Sequence, residues 1–132
     1  MISAEEFRNF AERYTAAWYS HDAARVAGFF SAEGSLRIND GAPAVGRAAI
    51  ARAAQEFMTA FPDLEVSMDD SSNDGDRTIY HWTLRGTNGG PGGTGNRVVI
   101  SGREVWRTNS DGLIAESRGS FDSDEYRRQL EV

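Results

Sequence analysis

Glu104 shares a strand face with Val98, Ile100, Gly102 and Trp106, while the alternate set, Arg97, Val99, Ser101, Arg103, Val105 and Arg107, is mostly polar and cationic. Successive side chains on a strand point to opposite faces, so Glu104 is assigned to the buried one. A carboxylate there is costly unless it is paired or protonated. The same parity on a shorter strand groups Leu36, Ile38 and Asp40 against Arg37 and Asn39, and Tyr14 adds a phenol to the apolar stripe of the first helix. Tyr80, Trp82 and Leu84 form the inward set of another strand, with His81, Thr83 and Arg85 facing out. Two carboxylates and a phenol aimed at one aromatic cavity point to proton transfer. An ionised carboxylate can remove a proton next to a carbonyl, while a phenol and a neutral carboxylic acid donate hydrogen bonds to the enolate oxygen.

Each of these residues has a plainer role beside the chemical one. Asp40 lies in Asn39-Asp40-Gly41, where a turn needs such a residue. Glu104 can be neutralised by an arginine such as Arg118 on the adjacent strand. Tyr14 can be ordinary core with its hydroxyl tied to backbone. Asp122 ends the last strand at the mouth of a curled sheet, yet Asp122-Ser123-Asp124-Glu125 is equally a capping box for a final helix. The stripe of Phe7, Phe10 and Trp18 is core before it is a ligand box, and His81 is a surface or interface residue. Trp18, Phe57, Trp82, Asn88, Trp106 and Arg118 are the expected substrate contacts.

The elements that must position these groups follow from periodicity. Ser3-Ala4-Glu5-Glu6 opens a helix carrying Phe7, Phe10, Tyr14 and Trp18 on one stripe. Ser20-His21-Asp22 breaks it, and a short second helix runs through Val26, Phe29 and Phe30 to end at Gly34. Ser35 to Asn39 is a short strand. Gly46 precedes a third helix with Ile50, Ala53, Ala54, Phe57 and Phe61 on one face, stopped by Pro62. The period then changes to two: Leu64, Val66 and Met68 mark a strand, and Asp69 to Asp76 an acidic turn. Arg77 to Thr87, Val98 to Thr108 and Leu113 to Phe121 are further strands, and a final helix starts near Ser123. Helices come first and strands later, so the expected fold is α+β, a mostly antiparallel sheet curled around three helices. The run Gly89-Gly90-Pro91-Gly92-Gly93-Thr94-Gly95 joins strand to strand, unlike a phosphate cradle, which leads into a helix. It is expected to be a flexible hairpin connection at the pocket rim.

Composition narrows the function classes. The 132 residues suit one domain, 1–132, and 39% hydrophobic content with seven Phe, four Tyr and three Trp supplies a core. A net charge of −6 with no basic cluster argues against nucleic acid. The absence of cysteine excludes disulfides, thiolate metal sites and cysteine nucleophiles, and two isolated histidines argue against zinc, so no metal and no cofactor is expected. The start of the chain has neither the basic nor the apolar segment of a signal peptide, and no apolar run reaches the roughly 18 residues of a membrane span. A cytoplasmic location and no membrane partner are the expectation. Val99 and Val105 among arginines on the outward face suggest a homodimer through that face.

The element order and the segments Phe61-Pro62-Asp63-Leu64, Arg85-Gly86-Thr87, Thr94-Gly95-Asn96-Arg97-Val98 and Asp111-Gly112-Leu113-Ile114-Ala115-Glu116, with Asp122 seven residues before Gln129-Leu130, resemble the SnoaL-like polyketide cyclase family. That family belongs to the nuclear-transport-factor-like superfamily, and the resemblance implies a cystatin-like cone. It also implies that Asp122 matches the aspartate acting as acid/base in an intramolecular aldol ring closure. Asn88 stands where that pattern often has histidine. A sparser resemblance, in the same superfamily, is to ketosteroid isomerase: Arg13-Tyr14 is similar to its helix-1 tyrosine motif, Asn39-Asp40 to its base, and Glu104 to its oxyanion-hole acid. Arg85-Gly86-Thr87 lacks the carboxylate of the Arg-x-Asp pair of limonene epoxide hydrolase. The resulting expectation is cofactor-independent acid/base chemistry, cyclisation or isomerisation, on a small hydrophobic carbonyl compound. Asp40 or Asp122 is the base, and Tyr14 and Glu104 are hydrogen-bond donors. The alternative is a non-catalytic ligand-binding or dimerisation module of the same fold.

Overall fold

The computed structural model describes residues 4–74 and 77–131, so the expected helix cap at Ser3 lies outside the described residues. Helices α1 (Ala4–Tyr19) and α2 (Ala23–Ala27) lead into strand β1 (Phe30–Ile38), the short β2 (Ala44–Val45) and helix α3 (Arg47–Ala60). Strands β3 (Glu65–Asp74), β4 (Arg77–Thr87), β5 (Arg97–Thr108) and β6 (Ile114–Phe121) follow, then helix α4 (Ser123–Glu131). The six strands form one curled sheet in the order β2-β1-β6-β5-β4-β3. Only β1 and β6 are parallel; the other pairs are antiparallel, joined mostly by tight connections. This is the α+β cone expected from the sequence.

Three boundaries differ from that expectation. Phe30 begins β1 instead of ending α2, and Gly34 lies inside the strand at a register break between Phe30 and Ser35. A Cβ on Gly34 would sit 2.8 Å from the carbonyl oxygen of Ile114. The glycine therefore serves close strand approach, not helix termination. The polar run after Met68 extends β3 through Asp74, with a bulge between Met68 and Asp70. This strand is the sheet edge, so its far half faces no core and its side chains need not alternate in polarity. Ala44 and Val45 add a two-residue edge strand against Ser35 and Leu36, too short to leave a periodic signal.

The core has two parts. One gathers Phe10, Tyr14, Val26, Phe30, Ile50, Tyr80 and Trp106; the other Phe61, Leu64, Val66, Leu84, Val98 and Ile100. Trp18 and Trp82 pack against both. In the first, Tyr80 stacks on Trp106 at 4.9 Å between ring centroids, and Tyr14 meets Trp106 edge-on at 5.1 Å. Such pairs contribute about 0.5–1.5 kcal/mol each beyond the area they bury.

Helix α4 buries none of its residues but lies along the stretch of β5 that β6 leaves unpaired. Gln129 there takes the place of a strand: its side chain accepts from Val99 N at 2.7 Å and donates to Val99 O at 2.9 Å. The glycine-rich connection is tied down, in contrast to the flexible link expected. Asn88 Nδ2 and Gly90 N donate to Ala60 O at the end of α3, and Asn96 Nδ2 donates to Leu130 O at the end of α4. Its glycines allow a close approach, since a Cβ on Gly90 would overlap the Thr59 carbonyl.

Gly102, opposite Trp82 in the β4–β5 ladder, lets that indole lie across the strand. A Cβ at this position would stand 2.5 Å from Trp82 Cζ2 and would also meet Ser120 O. Gly102→Ala should therefore displace Trp82 and cost about 1–3 kcal/mol by overpacking. Thermal unfolding with tryptophan fluorescence checks this, and an unchanged midpoint and spectrum would refute it.

Candidate active site

Glu104 and Trp106 are two residues apart on the inward face of β5, so the indole N–H of Trp106 reaches back to the carboxyl. Across the β5–β6 ladder Trp106 pairs with Ser117, and Glu104 pairs with Gly119, where an added Cβ would stand at ordinary contact distance, 3.6 Å from Glu104 Cγ. From the other side α1 brings in Tyr14. The result is a buried carboxyl with three donors. Glu104 Oε1 accepts from Ser117 Oγ at 2.7 Å and from Trp106 Nε1 at 3.1 Å, and Tyr14 Oη donates at 3.1 Å to both carboxyl oxygens. Oε2 has Tyr14 as its one partner among the described residues.

Arg118 does not neutralise Glu104. It points outward, exposed, and lies 3.8 Å from Glu116. The carboxyl thus sits in the core with hydrogen bonds but no cation among the described residues. Burial pushes its pKa above the ordinary glutamate value, and the donors, Ser117 first, then Trp106 and Tyr14, work against that rise. Burial, then the neighbouring Glu104 charge, hold the Tyr14 phenol well above its usual range. The Tyr80 phenol is likewise raised, mainly by burial, although its hydroxyl bonds that of Thr15.

Where the two parts of the core fail to meet, a cavity of about 60 Å³ remains. Its walls are aromatic and aliphatic: Trp18, Phe57, Tyr80, Trp82, Phe121 and Tyr126 supply rings, and Leu36, Ile38, Val66, Leu84 and Ile100 fill between them. Glu104 is the one charged residue in this lining. Space of this size takes about four to six water-sized groups, so the occupant is small unless the half-buried rings at the rim swing aside.

The structure brings together Tyr14, Glu104, Trp18, Phe57, Trp82 and Trp106. The last is behind the wall, fully buried, and holds the carboxyl instead of lining the space. It does not bring in the remaining residues. Asp40 is exposed in the turn after β1. Asp122 is exposed and caps α4, its Oδ1 accepting from Asp124 N at 3.1 Å and Glu125 N at 3.0 Å. Asn88 accepts from Thr94 N and ties its loop to α3, away from the lining. Ser117 and Tyr126 were not singled out in the sequence. Parity with Gly119 on β6 would have exposed Ser117; nothing local marks Tyr126, which reaches the cavity only because α4 crosses its mouth. No group of three or more His, Asp or Glu able to hold a metal ion occurs among the described residues, and no described helix is long and apolar enough to cross a membrane.

Because its folded-state pKa is raised, Glu104 binds its proton more tightly in the native protein than in the unfolded chain. Its contribution to stability is full below the unfolded value of 4.5 and declines as pH rises through the folded value. Glu104→Gln cannot ionise and escapes this decline. Its stability relative to the native sequence should improve as pH rises above 4.5 and level off once Glu104 ionises in the folded protein, with a slope of up to about 1.4 kcal/mol per pH unit. Urea unfolding across that range measures the difference, and a difference independent of pH would contradict it.

The comparisons with known proteins agree with this architecture. The structure of TsrD from Streptomyces laurentii superposes with a TM-score of 0.84 at 21% identity, covering 99% of this chain and 98% of that one. The epoxide hydrolase/cyclase-like enzyme SalBIII, described for pyran ring formation in the polyether salinomycin, gives 0.80 at 17% identity over 95% and 97%. A ketosteroid isomerase-like fold from Catenulispora acidiphila, in complex with trimethylamine, gives 0.80 at 16% identity over 93% and 92%. Identities this low show the shared fold alone. No curated protein sequence matches the chain. The model of the SnoaL-like domain matches residues 11–117, and the chain belongs to that family.

Proposed function

We propose that the protein is a cofactor-independent acid/base enzyme of the cyclase/isomerase kind, acting on a small apolar carbonyl compound. The observation that carries this reading is Glu104: a buried carboxyl with no cation beside it, at the wall of an aromatic cavity. A raised pKa makes such a carboxylate a stronger base than an exposed one. The carboxylate takes a proton from the carbon next to the carbonyl, and the electron pair passes to the carbonyl oxygen, giving an enolate. Where a C=C double bond conjugates with the enolate, return of that proton at the far carbon isomerises the compound; attack of the enolate carbon on a second carbonyl closes a ring, and the new alkoxide takes the proton back from Glu104. Tyr14, Ser117 and Trp106 hold the carboxyl in place throughout.

Glu104 thereby takes over the role of base that the sequence had suggested for Asp40 or Asp122, both of which lie outside the cavity lining. Membership of the SnoaL-like family and the fold shared with a SnoaL-like polyketide cyclase support the reaction class. The trimethylamine held by the Catenulispora protein favours a second use of the same pocket, binding of a small amine.

Enolisation is measurable without knowing the natural substrate. Small ketones such as cyclopentanone, incubated with the protein in heavy water, should exchange the hydrogens next to the carbonyl, followed by NMR. Glu104→Gln should lower the exchange rate about 100-fold or more. Asp40→Asn and Asp122→Asn should leave it unchanged, the latter because asparagine still caps a helix. Loss of exchange in Asp122→Asn with retention in Glu104→Gln would overturn the assignment. Binding without exchange by any variant would favour a non-catalytic binding module.

A further inference from the structure

The wall of the cavity combines aromatic rings with a single carboxyl. Six aromatic side chains, Trp18, Phe57, Tyr80, Trp82, Phe121 and Tyr126, come from five different elements, α1, α3, β4, β6 and α4. Their packing is mostly edge-on: Trp18 to Phe57 at 6.3 Å, Trp82 to Phe121 at 6.0 Å, and Phe121 to Tyr126 at 5.3 Å. In an edge-on pair one ring keeps both its faces free of its partner. One carboxyl, Glu104, closes the inner end, and it has no positive partner among the described residues.

We propose that the cavity binds a small alkylammonium cation, with Glu104 ionised against its charge and the aromatic rings around its alkyl groups. This rests on the reading above that the cavity with Glu104 is the functional site, and names a ligand class for it. The chemistry is matched on three counts. A cation over aromatic faces is attracted by the ring quadrupoles, most strongly where water is excluded. A buried carboxylate lacking a cation has an uncompensated charge, which an ammonium ligand neutralises. The volume of about 60 Å³ suits a cation of a few heavy atoms carrying methyl groups, not a long or branched chain.

The groups facing Glu104 make its ionisation the one titration that matters below neutral pH. Helix α1 presents Tyr14, β4 presents Tyr80 and β6 presents Ser117, with Trp106 from β5 itself. Tyr126 of α4 lies in the lining, and β1 and α3 contribute Leu36, Ile38 and Phe57. Both core phenols are held above their usual range, and the Tyr126 phenol is raised too, so all three stay neutral. Binding of a permanent cation should therefore tighten as pH rises through the Glu104 titration and then level off.

Tetramethylammonium chloride is the direct probe, because it carries charge at every pH, and tert-butanol is a neutral compound of similar bulk. Titrations followed by NMR at about pH 3.5 and about pH 8 should show tetramethylammonium binding at least about tenfold tighter at the higher pH. Glu104→Gln should lose that pH dependence and weaken tetramethylammonium about tenfold or more, while still binding tert-butanol. Circular dichroism confirms that the variant is folded, and Trp18→Leu, which removes one ring and keeps the charge, should weaken the cation more than the alcohol. Equal affinity of the native protein and Glu104→Gln for tetramethylammonium overturns the proposal. So does tert-butanol binding without cation binding; if ketone exchange persists in that case, the enolising role stands alone. Failure of both ligands to bind, with no ketone exchange, removes the site itself.

Discussion

A carboxyl group buried in an aromatic core, with no cation beside it among the described residues, is the constraint to which the rest of this molecule answers. Ionised glutamate in such a place is costly, and three donors on three different elements are aimed at it. Hydrogen bonds lower the cost without cancelling the charge, as an arginine would. The group is left able to gain and lose a proton within reach of a cavity, which a salt-bridged carboxylate could not do as readily. The absence of a cation separates a candidate active site from a structural ion pair.

The fold explains how such an arrangement is held. Curling the sheet turns the inward faces of β4, β5 and β6 toward α1 and α3, and the strand ladders fix which side chains lie abreast. Glu104 pairs with Tyr80 on one side and Gly119 on the other, so a phenol and an empty position flank it. Gly102 is part of this construction, because it leaves room for the indole of Trp82. Helix α4 then crosses the mouth, held through the side chain of Gln129 and capped by Asp122. Asn96 ties the end of the same helix through Leu130 O, and Tyr126 packs its ring on Phe61 and Phe121.

Much of this was legible in the sequence because a strand alternates with a strict period. Parity alone put Glu104, Trp106, Tyr80 and Trp82 on the inner face, and the stripe of α1 put Tyr14 opposite them. Parity failed for Asp40, since alternation has no meaning once the strand ends and Asn39 adopts a left-handed backbone with φ of 51°. It also missed the strand nature of Phe30 to Gly34, where a register break hides the period, and of the polar half of β3, where no core imposes one. Asp122 was read as cap or site, and sequence could not choose between them, because both require an oxygen at the same chain position. Tyr126 enters the cavity through tertiary placement of α4, which no local pattern encodes, whereas Phe121 lies on β6 in parity with Ser117 and Gly119.

Glu104 titrates late because it is buried with no cation beside it among the described residues. Labelling glutamate carboxyl carbons with ¹³C and following the Glu104 resonance through a pH titration, assigned by its absence in Glu104→Gln, measures this directly. A midpoint clearly above the ordinary 4.5 is predicted, with the Tyr14 phenol remaining neutral over the same range. A midpoint at or below 4.5 would mean that the carboxyl is held ionised by its donors or by water, and would contradict the account.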